Sequence, residues 1–162
     1  MTSQFMDTLL GAEREQVLGV VQDNRDEIAA LLDGLTEEQA RRRVVASQTT
    51  LLGLVKHATF VETVWFHEAV TGASRAALGI PDGPHESFLL DDADTIASVL
   101  EAYAATRAAG DALVADLTLD DEVGHNRRGP LKLRWVYLHL VQELARHAGH
   151  GDILRELILS DG

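Results

Sequence analysis

Apolar positions along the chain recur mostly at intervals of three, four and seven, the period of a helix with one buried face. The first such run carries Val17, Val21, Ile28, Leu31, Leu32 and Leu35, with charges such as Glu15, Asp23, Arg25 and Glu27 between them. Gly34 marks its end. Thr36-Glu37-Glu38-Gln39 then reads as a capping box, in which Thr36 and Gln39 satisfy each other's exposed amides at the start of a short helix. The basic run Arg41-Arg42-Arg43 is read as the solvated end of that helix rather than an anion site. A second long helix is expected from Thr49 or Thr50 to Thr71-Gly72, burying Leu51, Leu54, Val55, Ala58, Val61, Trp65 and Ala69. A third takes Asp92 or Asp94 as its cap and presents Ile96, Val99, Leu100, Tyr103, Leu113, Val114 and Leu117. The fourth runs from Leu131 to about Leu159, behind Gly129-Pro130, where a proline lacking its amide proton costs a first helical turn nothing.

The segment from Gly72 to Asp91 holds Gly79, Pro81, Gly83 and Pro84 and is too long for a tight hairpin. It suits a crossover between the corners of a bundle. No stretch alternates with period two for long enough to support a sheet. The expectation is an all-α four-helix bundle forming one domain over residues 1–162.

Charge and cysteine content narrow the function. There are 26 acidic and 14 basic residues, for a formal charge of −12, a surface that repels nucleic acid. The absence of cysteine excludes disulfides, cysteine-ligated zinc, iron–sulfur clusters and a protein thiol nucleophile. Residues Met1 to Phe5 show no basic region leading into an apolar stretch, and no apolar run approaches the roughly 20 residues that span a bilayer. A cytoplasmic protein without membrane or nucleic-acid partners is expected.

The residues that could do chemistry lie on the second and fourth helices. Glu143 and His147 are four apart, offset by about 40° and roughly 6 Å along one helix face. They share that face with Val136, Leu140, Leu144, Leu154 and Ile158. His57 lies between Leu54 and Val61 on an inward stripe of the second helix. Burying a carboxylate and imidazoles unpaired is expensive, and a bound divalent cation is one compensation. Nitrogen and carboxylate donors suit zinc, with nickel, iron or manganese as alternatives, and three protein ligands leave a coordination position open for water or a small thiol. His139 and His150 are candidates for a further ligand, a cavity wall or a supporting hydrogen bond, with the bland solvent-facing reading favoured for both. His67, His85 and His125 fall near helix ends or in loops, where exposure is the default. Arg127 and Arg128, in a local basic cluster before the fourth helix, could recognise a carboxylate substrate.

The run Thr50-Leu51-Leu52-Gly53-Leu54-Val55-Lys56-His57, with Val61-Glu62 and Trp65-Phe66, is one of three telling pieces of sequence. The others are Leu133-Arg134-Trp135-Val136 and the closing stretch from Glu143 to Glu156. In these pieces the chain resembles the DinB-like superfamily of metal-binding four-helix bundles, especially its actinobacterial mycothiol S-transferase-like branch, over nearly its whole length. The resemblance implies an up-down-down-up bundle with a long crossover between helices two and three, and a metal held by His57, Glu143 and His147. Many relatives have histidine where Glu143 stands, whereas the related mycothiol-dependent maleylpyruvate isomerase has glutamate. The resemblance also implies a homodimer and activation of a low-molecular-weight thiol, mycothiol or an analogue, for conjugation to an electrophile in detoxification. Metal-assisted hydrolysis, and a non-catalytic stress-response bundle, are the competing readings.

Overall fold

The chain begins its helical path with a 3-10 turn (Phe5–Thr8) and α1 (Glu13–Ala30), in a computed structural model that describes residues 3–160. A short α2 (Glu37–Arg41) follows, then α3 (Leu51–Glu62), a π-helical turn (Thr63–Glu68) and α4 (Ala69–Thr71), which run on as one rod. After a long connection come α5 (Ile96–Leu113) and α6 (Leu133–Ser160). The fold is thus mainly helical, as the apolar periodicity requires. Among the described residues no helix is long and apolar enough to cross a membrane.

Local chemistry explains most boundaries. Thr36 and Gln39 form the expected capping box, Thr36 Oγ1 accepting from the Gln39 amide at 3.2 Å and Gln39 Oε1 from the Thr36 amide at 2.9 Å. Thr50 caps α3 by accepting from the Gly53 amide at 3.0 Å. Gly72, at a φ of 74°, ends the second rod in the left-handed conformation that suits glycine. The third long helix departs from the sequence expectation, because its cap is Thr95 rather than Asp92 or Asp94. Thr95 is extended and accepts from the Ser98 amide at 3.0 Å, while the Asp94 carboxylate is drawn away to Lys56 Nζ at 2.6 Å.

Helix α6 also starts later than expected, at Leu133 rather than Leu131. Leu131 and Lys132 (β2) instead pair antiparallel with Glu122 and Val123 (β1), so the structure contains one minimal hairpin where the sequence suggested no strand. The amides of Leu133 and Arg134 donate to the carbonyls of Asp121 and Leu119, both at 2.9 Å, so the helix's opening amides are satisfied from outside it.

Helix α1 packs chiefly against α6, and α3 against α5 and α6. The buried apolar side chains form two clusters. One gathers Ile28, Leu54, Val55, Ala58, Leu144 and Ala148, and the other Val21, Val61, Phe66, Val136, Tyr137 and Leu140. On α1 and α6 the change from one cluster to the other falls at Asn24–Arg25 and at Glu143, so polar side chains occupy the middle of the molecule.

Arg25 corrects the sequence reading most sharply. It falls among the charges between apolar positions, yet it is 0% exposed. Its Nε and Nη2 donate to the two oxygens of the equally buried Glu62 at 2.7 and 2.6 Å, and Nη1 donates to Asp111 at 2.9 Å. Burial opposes the charge, but the bonds to Glu62 outweigh it and hold the guanidinium pKa above its usual value. The basic run ends α2 with Arg42 and Arg43 exposed, as expected, and it also reaches backbone carbonyls. Arg41 donates to the carbonyls of Asp91 and Asp94, and Arg43 to those of Ser47 and Ala46, so both guanidiniums tie loops together.

Candidate metal centre

Three side chains predicted from sequence converge where α3 meets α6. Glu143 Oε1 lies 3.2 Å from His147 Nε2 and 3.6 Å from His57 Nε2, and one ligand atom from each of the three residues lies within 4.8 Å of the others. Two donors come from consecutive turns of one helix. The third arrives because α3 packs against α6 and buries His57 to 3% exposure. Donors bound to one zinc at about 2.0–2.2 Å in a tetrahedron sit roughly 3.3–3.6 Å apart, so the two short separations suit a shared cation.

Hydrogen bonding supports the same fit. Ser87, in the 3-10 turn Glu86–Phe88, is buried, and its hydroxyl donates to the Pro84 carbonyl at 2.7 Å. That hydroxyl has only one proton to give. Its 2.7 Å bond to His57 Nδ1 therefore makes Nδ1 the protonated nitrogen. Burial lowers the His57 pKa, against the pull of Glu143, and keeps the ring neutral. Nε2 is then a bare lone pair, buried without a hydrogen-bond partner and facing a carboxylate oxygen. Two acceptors face each other with no proton between them, an arrangement a cation resolves. The hydrogen bond to His147 holds the Glu143 carboxyl well below the usual range despite its partial burial.

Helix α3 is shaped to receive that serine. A Cβ at Gly53, one turn before His57, would come within 2.7 Å of the Phe88 carbonyl oxygen. The absence of a side chain there lets the 3-10 turn lie directly on the helix, and the Phe88 ring stacks on His57 at 3.8 Å. Neither Ser87 nor Phe88 was among the residues singled out from sequence. Ser87 lies 30 residues from His57, with Phe88 next to it, and so long a separation leaves no spacing signal.

A cleft of about 550 Å³ opens beside the cluster, with His57 and Glu143 on its lining. Phe60, Val61, Val64 and Trp65 give it an apolar side, and Arg75, Asn126, Arg127 and Arg128 a polar one. The π-helical turn carries Val64 and Trp65 into this lining, a feature often found at functional sites. His139 also lines the cleft. It lies parallel to Trp135 at 5.2 Å and edge-on to Trp65 at 4.6 Å, and burial lowers its pKa. It stands outside the three-residue cluster. His150 touches the His147 ring at 5.8 Å but is exposed, and the buried Nδ1 of His147 has no hydrogen-bond partner.

The remaining histidines divide. His85 is exposed as expected, and so is His125, although its ring lies over Gly72. His67 departs from the expected exposure, being half-buried with Nε2 3.3 Å from the Thr106 carbonyl, because the π turn carries it against α5.

A family model described as mycothiol-S-transferase matches residues 16–160, which takes in every residue of this centre. No curated protein matches the sequence.

Proposed function

The chain belongs to the mycothiol-S-transferase family, and on that premise we propose that it is a divalent-metal-dependent transferase joining mycothiol, or an analogous low-molecular-weight thiol, to an electrophile. The observation that carries this reading is the gathering of His57, Glu143 and His147 beside an open cleft in a chain with no cysteine of its own. Zinc is the proposed cation, on the chemistry of two imidazole nitrogens and one carboxylate, with nickel, iron and manganese as the other metals to assay.

When bound, a divalent cation supplies positive charge that favours a thiolate over its thiol. The chain's own contribution is orientation and environment. His57 offers Nε2 because Ser87 holds the proton on Nδ1. Glu143 brings the one negative charge of the three donors, and His147 the second imidazole. Phe60, Val64 and Trp65 exclude water from one side of the cleft. Low-molecular-weight thiols stay reduced in the cytoplasm, the compartment proposed for the reaction. The bundle is proposed to follow an up-down-down-up path, with the segment between α4 and α5 as its crossover.

The test is conjugation of mycothiol to a fluorogenic alkyl bromide by protein loaded with zinc and by protein stripped with a chelator. Turnover should need both metal and thiol. Rates equal to the protein-free background across a panel of thiols and metals would remove the transferase reading, and thiol-independent ester cleavage would favour hydrolysis.

A homodimer through α6 is proposed as well. The outer side of that helix carries exposed Trp135, Leu138, Ile153 and Leu157 in line with exposed Ala145 and Gly149. The stripe reads alike from both ends about residues 145–146, so an antiparallel second copy would set Trp135 near Leu157 and Leu138 near Ile153. Light scattering at micromolar concentration should give twice the chain mass of 17.6 kDa. A monomeric mass throughout that range would exclude this interface.

A further inference from the structure

Although the chain has 26 acidic residues to 14 lysines and arginines, several of its arginines are not paired with a carboxylate, and Arg14, Arg41, Arg43 and Arg155 donate to backbone carbonyls instead. Among the described residues Arg127 and Arg128 have no acidic partner either. Arg127 Nη2 donates to the Asp82 carbonyl at 3.5 Å, and among the described residues the Arg128 guanidinium makes no hydrogen bond or ion pair. Arg75, balanced by Glu68 at 2.9 Å, donates to that same Asp82 carbonyl. Arg75 and Arg127 are thus held beside each other with one carboxylate between them.

The loop that carries the pair is fixed from below. Asn126 is buried; its Oδ1 accepts from the Arg128 amide at 2.9 Å and its carbonyl from the Gly129 amide at 2.9 Å. The His125 amide donates to the Ala69 carbonyl at 3.2 Å, which docks the hairpin against the start of α4. The backbone is anchored while the two guanidiniums remain exposed at the cleft that Glu143 and His57 also line.

We propose that Arg127 and Arg128 form an anion subsite that selects an electrophile bearing a carboxylate on an apolar, aromatic body. This rests on the transferase reading and specifies its substrate class. The overall charge of −12 repels small acids, so capture of one needs a local cationic surface. A guanidinium fork matches the two oxygens of a carboxylate, and the Phe60–Trp65 side of the cleft offers an apolar wall for the rest of the molecule. A sugar thiol such as mycothiol presents hydroxyl and amide groups and gives unpaired arginines no anion, so the subsite serves the other substrate. In the transfer, the thiol sulfur bonds to the reactive carbon as the bond to the leaving group breaks. The leaving group departs with the electron pair, and the thiol proton passes to solvent.

Trp65 lines this cleft and the chain's other tryptophan, Trp135, packs against it with ring centroids 5.2 Å apart, so intrinsic fluorescence reports the cleft's occupation without metal or turnover. The experiment titrates the protein with 4-methylbenzoate and with its neutral isostere 4-methylbenzamide. The acid should bind about tenfold or more tightly than the amide, weakening as salt rises. Arg127→Gln/Arg128→Gln should abolish that preference. Lys132→Gln, which removes a charge from the same hairpin and disturbs an exposed pair with Glu122 and a bond to the Asp120 carbonyl, should keep it. Equal binding of acid and amide, a preference that survives loss of both arginines, or a double variant that loses mycothiol affinity instead would each overturn the proposal. A positive binding result with no thiol transfer leaves the anion subsite standing and removes only the transferase reading.

Discussion

His57→Ala and His147→Ala should each lower zinc affinity by more than the roughly 10–100-fold that loss of an outer hydrogen-bond partner costs a metal site. Each removes one of three donors. Glu143→Gln should also weaken binding, because it removes the negative charge that offsets the cation. Ser87→Ala should fall within the 10–100-fold range, since His57 keeps its position on α3 but loses the partner that fixes its tautomer. Without metal, His57→Ala should still lower stability, because with the bare Nε2 it deletes a buried ring that bonds Ser87 and stacks on Phe88. The measurement is isothermal titration with zinc, paired with thermal melts, because a ligand that binds only the folded state stabilises it by an amount that rises with the logarithm of its affinity. The exposed His85 supplies the control substitution. Retention of wild-type zinc affinity by both His57→Ala and His147→Ala would refute the centre.

Arg25→Met should cost about 3–5 kcal/mol of folding stability, the usual penalty for removing one partner of a buried ion pair. The damage comes from Glu62, which is 0% exposed and would be left without the two guanidinium bonds it now receives. Asp111 should suffer less, because 39% of its side chain already faces water. The double variant Arg25→Met/Glu62→Leu should recover most of the loss, since replacing both charges with apolar groups of similar volume is often neutral. Urea unfolding of the wild type, the two single variants and the double variant closes the cycle. If Arg25→Met alone unfolds at the wild-type midpoint, the ion pair contributes nothing measurable.

Periodicity alone marked out the four long helices, and the spacing of Glu143 and His147 placed a carboxylate and an imidazole on one helix face. Both are local facts, because a helix brings residues four apart together whatever else the chain does. His57 could be assigned to an inward stripe on the same ground. Its membership of the cluster depended on how α3 meets α6, and the resemblance to a family supplied that expectation before the geometry did. The cap of α5 was misplaced because Asp92, Asp94 and Thr95 all have suitable side chains. Only the contact with Lys56 removes Asp94 from the choice. Ser87, Phe88 and the partnership of Arg25 with Glu62 and Asp111 had no local signal at all. Arg25 stands four residues after Val21 and three before Ile28, on the buried face, but a charged residue there reads as surface until a carboxylate from another helix is seen beside it. The sequence by itself determined the helices and the helix faces that carry the candidate donors, because those follow from backbone period and side-chain type. The tertiary structure alone decided which faces meet, which nitrogen of His57 is bare, and which charges are buried in pairs, because each depends on atoms brought together from distant parts of the chain.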